Sequence, residues 1–203
     1  GIRISSSTRV RVTKCAVRTN GNYGIKVRAE STDVRIDRCT FDNNGTYSVF
    51  VTPSGSDQIL TSRVRISGNA MDGAGVRFDA PDVIVEKNRM TGLAGYGVYS
   101  DTSEAADGLV AKNSIEFLSL NDGHGIYLNG AANRVEKNRV VGPKTTGIVV
   151  YGNQNSIRGN VVEDVGDQGI VVNGDSAIVT GNRSINAGSQ CFATTGDDGT
   201  WMK

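Results

Sequence analysis

GIYLNGAANRVEKNRVVGPKTT (residues 125–146), GIVVYGNQNSIRGNVVEDVGDQ (147–168) and GIVVNGDSAIVTGNRSINAGSQ (169–190) follow one another without a gap. Each line has 22 residues and opens with Gly-Ile. An apolar residue holds the eleventh position (Val135, Ile157, Val179), and Asn holds the fourteenth (Asn138, Asn160, Asn182). Two positions on stand Val140, Val162 and, as a lapse, Ser184. A fixed period of this size is the mark of a solenoid, in which each unit buries its apolar face against the next.

The unit leaves no room for a helix. Its apolar residues alternate, or stand two apart around Gly or Asn, and a period of two means strands. Each strand is short and ends at Gly, Asn or Asp. With three strands per unit and no hairpin signal, the chain must coil back on itself. Neighbouring coils then pair as parallel strands about 4.8 Å apart. Asn at the fourteenth position suits a bend. It tolerates the left-handed conformation, and its amide can bond the Asn one coil away. The expected ladder is Asn69, Asn88, Asn113, Asn138, Asn160 and Asn182, with Cys15 and Cys39 in the same position in the first two coils. The expected core includes Ile25, Val27, Val49, Val51, Val76, Phe78, Ile126, Leu128, Ile148, Val150, Ile170 and Val172.

The opening Gly-Ile/Val-x-Val with its later Asn-x-Val resembles the coil of the pectin-lyase-like, right-handed parallel β-helix family. That family includes pectate lyases, polygalacturonases, alginate epimerases and phage tailspikes. The resemblance runs over almost the whole chain, and the residues that carry it build the scaffold. It implies an all-β fold: a right-handed, single-stranded parallel β-helix of about eight coils. It also implies that the first strand of each coil lines a substrate groove. The implied partner is a polysaccharide, in an extracellular, cell-surface or virion setting. If the chain is tailspike-like it is a trimer, and otherwise a monomer.

Composition bounds the rest. The 203 residues, 22 basic and 21 acidic, suit one elongated domain over 1–203. Near-zero net charge gives no reason to expect nucleic acid or an anionic membrane. No run of 18 apolar residues exists, so no membrane span is expected. Three cysteines do not make a disulfide framework; Cys15 and Cys39 are expected as neighbours in the bend, either stacked as free thiols or joined by a disulfide. The chain starts at Gly1-Ile2 already on a repeat, which suggests a piece of a longer protein. Residues 191–203 are expected to be irregular, because Gly196 onward does not repeat.

If the first and third residues after the opening Gly point inward, the second and fourth point outward. The first outward column holds Lys26, Phe50, Arg77, Tyr99, Tyr127, Val149 and Val171. The second holds Arg28, Thr52, Asp79, Asp101, Asn129, Tyr151 and Asn173. Their middle is unusual for a solvated sheet. Arg77, Asp79, Tyr99 and Asp101 are the candidate catalytic groups. Tyr127, Asn129, Tyr151, His124 and Asp122 are candidates for substrate binding. Aromatic faces stack on sugar rings, and carboxylates and amides bond hydroxyls. Insertions at 53–58, 101–107 and 117–123 fall beside the patch and would wall a groove. Plainer roles stand beside these. The tyrosines suit a stacked ladder on an exposed sheet, and the aspartates suit turn starts. His124, the only histidine, shares its position with Tyr23, Tyr47 and Tyr96 and belongs to their stack unless it acts as a base.

Like charges on adjacent strands are destabilising, so Asp79 beside Asp101 requires Arg77, a bound cation such as calcium, or a shared proton. No other cofactor is indicated, since HExxH, GxSxG, CxxC and phosphate-loop patterns are all absent. Two enzyme chemistries fit. In a glycoside hydrolase Asp79 and Asp101 would be the carboxylate pair. In a lyase or epimerase Arg77 would neutralise a uronate while Tyr99, Tyr127 or His124 took the neighbouring proton. The Asp-Pro-His motif of the alginate epimerases is absent. The alternative is a non-catalytic carbohydrate-binding or structural β-helix of a tail fibre or surface adhesin, associating through Phe50, Val149 and Val171.

Overall fold

The computed structural model describes residues 1–53, 61–118, 123–196 and 200–202. Its strands form three parallel sheets of nine, nine and eight strands, and no helix occurs among the described residues. Neighbours within each sheet come from successive coils, so each turn of the solenoid adds one strand to each sheet. The first sheet runs from Ile2–Ser5 through Tyr23–Arg28, Tyr47–Val51, Val76–Phe78, Val98–Ser100, Ile126–Asn129, Ile148–Tyr151 and Ile170–Asn173 to Phe192–Thr195. Among the described residues no helix is long and apolar enough to cross a membrane.

The core is the inside of the coil. All twelve expected core residues are exposed by 1% or less. Glycine opens most coils because the backbones approach closely there. A Cβ on Gly125 would lie 2.5 Å from the Gly147 carbonyl oxygen. On the second sheet Val85 pairs with Ile66 and Val110 inside, which leaves Ile84 facing out beside Arg65 and Leu109.

The asparagine ladder is continuous from Asn69 to Asn182. Each Nδ2 donates to the next Oδ1, as in Asn88 to Asn113 at 3.1 Å and Asn138 to Asn160 at 3.0 Å. Each also donates back to a carbonyl of the coil before, as Asn138 does to Val110 at 2.8 Å. The left-handed conformation, however, belongs to the residue in front. Lys87, Lys112 and Lys137 have φ of 55°, 57° and 55°, and glycines fill the same place at 68, 159 and 181. The asparagines themselves are not in that region. The bend sends the preceding side chain to solvent and turns the amide inward, where only the stack can satisfy it. A left-handed lysine costs about 1–2 kcal/mol, which the ladder bonds behind it offset.

The cysteines continue the stack as free thiols. Cys39 Sγ accepts from the Cys15 amide at 3.4 Å, and the Cys39 amide donates to Asn69 Oδ1 at 2.9 Å. A second stack went unanticipated. Asn133 Oδ1 accepts from the Gly108 amide and Asn155 Oδ1 from the Asn133 amide, both at 2.8 Å. Its signal stands in the repeats, as Asn at the ninth position of two lines.

Two described stretches within 191–203 are strands where an irregular segment is expected. Phe192–Thr195 pairs in register with Ile170–Asn173, and the backbone of Thr200–Met202 pairs with Ile178–Thr180. An open sheet edge offers unpaired N–H and C=O groups to any extended segment, so pairing continues where the apolar repeat has lapsed.

Candidate functional site

The first sheet carries the patch. Its outward column is in register throughout: Lys26 beside Phe50, then Arg77, Tyr99, Tyr127, Val149 and Val171. In the second column Asn129, Tyr151 and Asn173 are register partners.

Arg77 ties the two columns together. Its Nε donates to Asp79 Oδ2 at 2.8 Å and its Nη2 to Asp101 Oδ1 at 2.9 Å. The guanidinium lies 5.2 Å from the Phe50 ring centre and 5.1 Å from that of Tyr99, so it is held between two aromatic faces. Tyr99 donates its hydroxyl to Asp101 Oδ2 at 2.9 Å, and Asn129 Nδ2 donates to the Asp101 backbone oxygen at 3.2 Å. Arg77 therefore supplies the positive charge that adjacent carboxylates require. Neutralising Asp101 would remove one of Arg77's two anions together with the repulsion between the carboxylates.

The two aspartates differ. Asp101 is exposed, whereas Asp79 is only 5% exposed and its Oδ1 has no partner among the described residues. Burial raises the Asp79 pKa above the ordinary carboxylate range even though Arg77 pulls the other way. A carboxyl whose folded pKa is raised stabilises the protein below its unfolded pKa and loses that contribution as pH rises through the folded value. Asp79→Asn is therefore expected to raise the melting temperature slightly at neutral pH. The advantage should shrink as pH falls into the ordinary carboxylate range. Melts of parent and variant across that range check it, and a variant that melts lower at neutral pH refutes it.

The aromatic residues pack into one wall. Tyr99 and Tyr127 lie 5.4 Å apart and Tyr127 and Tyr151 5.6 Å, centre to centre. Tyr96 closes on Tyr99 at 4.1 Å and stacks on His124 at 5.7 Å, while Tyr47 stacks on Tyr99 at 6.4 Å. Tyr23 extends the wall through Phe50 at 5.1 Å. His124 is thus a member of the column that its position indicated. Burial lowers its pKa below the ordinary histidine value, and its Nδ1 is buried with no partner among the described residues. Burial, followed by the hydrogen bond to Asp101, pushes the Tyr99 hydroxyl well above the ordinary tyrosine value. Burial raises Tyr127 too.

Eight of the nine candidate residues meet on this face: Arg77, Asp79, Tyr99, Asp101, Tyr127, Asn129, Tyr151 and His124. Asp122 lies outside the described residues, as do most of the insertion at 53–58 and residues 119–122 of the turn at 117–123. The turn at 101–107 folds down onto the following coil. Glu104 bridges to Gly130, and the carbonyl of the fully buried Ala105 accepts from Asn133 Nδ2 at 2.9 Å. Tyr47 and Tyr96 belong to the wall but were not among the candidates. Their shared position before the opening Gly was the available signal. Phe50 and Val149, expected as apolar contacts for another subunit, are 8% and 4% exposed. Rings and cations of the chain's own neighbouring coils cover Phe50.

Comparison with known proteins now places the fold. No curated protein matches the sequence. Two solved structures of PfbA, a surface adhesin of Streptococcus pneumoniae, share its shape. One aligns with a TM-score of 0.56 at 13% identity over 95% of this chain and 68% of that one. The other gives 0.52 at 14% identity over 94% of this chain and 62% of that one. The chain spans about two thirds of their length, and at such identity the likeness is one of fold alone. The family model described as the right handed beta helix region matches residues 1–161 and again 119–202. The chain belongs to the right-handed β-helix family.

Proposed function

We propose that this chain is the carbohydrate-binding β-helix of a cell-surface protein, with the aromatic wall of the first sheet as its binding platform. One observation carries the reading: rings from Tyr23 to Tyr151 run along one face, joined by Arg77 and flanked by Asp101 and Asn129. Tyr99, Tyr127 and Tyr151 are half-buried, so each keeps part of its surface in solvent to meet the C–H face of a sugar. The polar groups are engaged with one another, which suits fixed recognition better than proton transfer. The adhesin fold of PfbA agrees with this reading and with an extracellular place.

A second reading rests on Asp79. A buried carboxyl with a raised pKa and a free oxygen has the character of a general acid, and Asp101 beside it would complete a glycoside hydrolase pair. NMR titration with neutral and uronic oligosaccharides separates the two. Binding without product, weakened about five- to tenfold by Tyr99→Ala or Tyr127→Ala, is the expected result. A new reducing end that disappears in Asp79→Asn would establish hydrolysis, and an unsaturated sugar would establish elimination. Absence of binding by any glycan would end both readings.

A further inference from the structure

The second sheet presents a different surface. Arg11, Arg35 and Arg65 are direct register partners on three successive coils, all pointing outward. Arg9 and Arg63 stand two residues ahead of Arg11 and Arg65, in a column that also holds Asp33, Asp82 and Asp107. Together they line an open groove of about 790 Å³, with Ile84 and Leu109 in its floor and Arg134 at its far end. Like charges on adjacent strands repel, and this sheet places three in a row. Some are balanced: Arg11 pairs with Asp37, Arg63 with Asp33 and Arg65 with Glu86. Among the described residues Arg9, Arg35 and Arg134 make no ion pair. Arg35, the middle of the row, is exposed. The paired arginines keep about half of their side-chain surface in solvent, at 55%, 59% and 46% for Arg11, Arg63 and Arg65.

From this array we infer that the second-sheet groove is an anion site for a polysulfated glycan. Guanidinium forks match the oxygens of planar and tetrahedral oxyanions, and each can give two parallel hydrogen bonds. The unbroken row of cations runs along the solenoid at about 4.8 Å per coil, while the column two residues ahead alternates in sign. A ligand lying along this row needs closely spaced oxyanions on a chain that docks without base stacking, which a polysulfated glycan provides. The floor of Ile84 and Leu109 suits the C–H face of a sugar. No aromatic side chain lines the groove to stack a base, and the carboxylates of Asp33, Asp82 and Asp107 confine any anion to the arginine row. The overall charge of +1 conceals this face, because the basic surplus is local.

This site is independent of the aromatic wall, and one experiment keeps the two apart. A heparin oligosaccharide, the same oligosaccharide after chemical desulfation, and a single-stranded oligonucleotide of equal charge are titrated calorimetrically at several salt concentrations. The sulfated probe is expected to bind with affinity that falls steeply with salt. Arg35→Ala should weaken it on the order of tenfold, and Arg35→Glu further. Tyr99→Ala should leave it unchanged. Arg35 is exposed and unpaired, so both variants should melt as the parent does. Equal binding of the desulfated probe, tighter binding of the oligonucleotide, or indifference to Arg35→Glu would each overturn the inference.

Discussion

Asn138→Ala is expected to lower the unfolding free energy by about 2–6 kcal/mol, because it orphans two buried backbone groups at about 1–3 kcal/mol each. Asn138 sits in the middle of the ladder and is 1% exposed. Its Oδ1 accepts from the amide of Asn113 at 3.0 Å and from the Asn113 side chain at 3.0 Å. Its Nδ2 donates to the carbonyl of Val110 at 2.8 Å and to Asn160 at 3.0 Å. Alanine removes all of these and leaves the Asn113 N–H and Val110 C=O facing an apolar interior. The neighbouring Arg139→Ala, which loses only an ion pair to Glu163 on the exposed face, should cost about 1 kcal/mol or less. Denaturant melts of the two variants make the comparison. Equal losses would mean that the ladder contributes no more than the surface does.

The fold was legible because a solenoid writes its contacts into the sequence at a fixed period. Each residue of one line predicts the neighbour of the same residue in the next. That is why the whole outward column from Lys26 to Val171 stands in the register expected of it. The errors lie where geometry within a coil decides. Asn138 was placed in the bend for its tolerance of positive φ, yet Lys137 takes that conformation at 55°. Periodicity could not distinguish the two positions, since both recur in every coil. Thr200–Met202 paired without any apolar repeat, because backbone groups alone direct the pairing.

The candidate site was legible as a set of residues and not as a set of relations. Alternation put Arg77, Asp79, Tyr99 and Asp101 on one face. It did not say that Asp79 is buried and Asp101 exposed, since burial depends on how the turn at 101–107 folds and where the Arg77 side chain lies. It also did not say that Arg77 bonds both carboxylates at once. The basic groove was missed for a related reason. Arg11, Arg35 and Arg65 are 24 and 30 residues apart, and their surplus vanishes in a net charge of +1.

Arg77→Ala is expected to cost about 3–5 kcal/mol at neutral pH, the range for stripping one partner from a buried ion pair. Asp79 is 5% exposed and has one oxygen already without a partner among the described residues, so losing Arg77 removes its remaining hydrogen bond. Asp101 loses the same cation, and the two carboxylates then face each other across adjacent coils. A ceiling follows from elementary titration. Asp79 can escape its charge by taking up a proton, and at pH 7 that costs about 4 kcal/mol from an ordinary carboxylate value near 4. The loss of Arg77's packing between Phe50 and Tyr99 adds to it. The penalty should therefore depend on pH. It should fall as the solution is acidified toward the ordinary carboxylate range, where Asp79 is protonated in both folded and unfolded chains. The double variant Arg77→Ala/Asp79→Asn should recover most of the loss at neutral pH, because it removes the stranded charge. Chemical melts of the single and double variants at neutral and acid pH test both parts. If the double variant is no more stable than Arg77→Ala, the stacking of Arg77 between two rings holds this face together, and the ion pair does not.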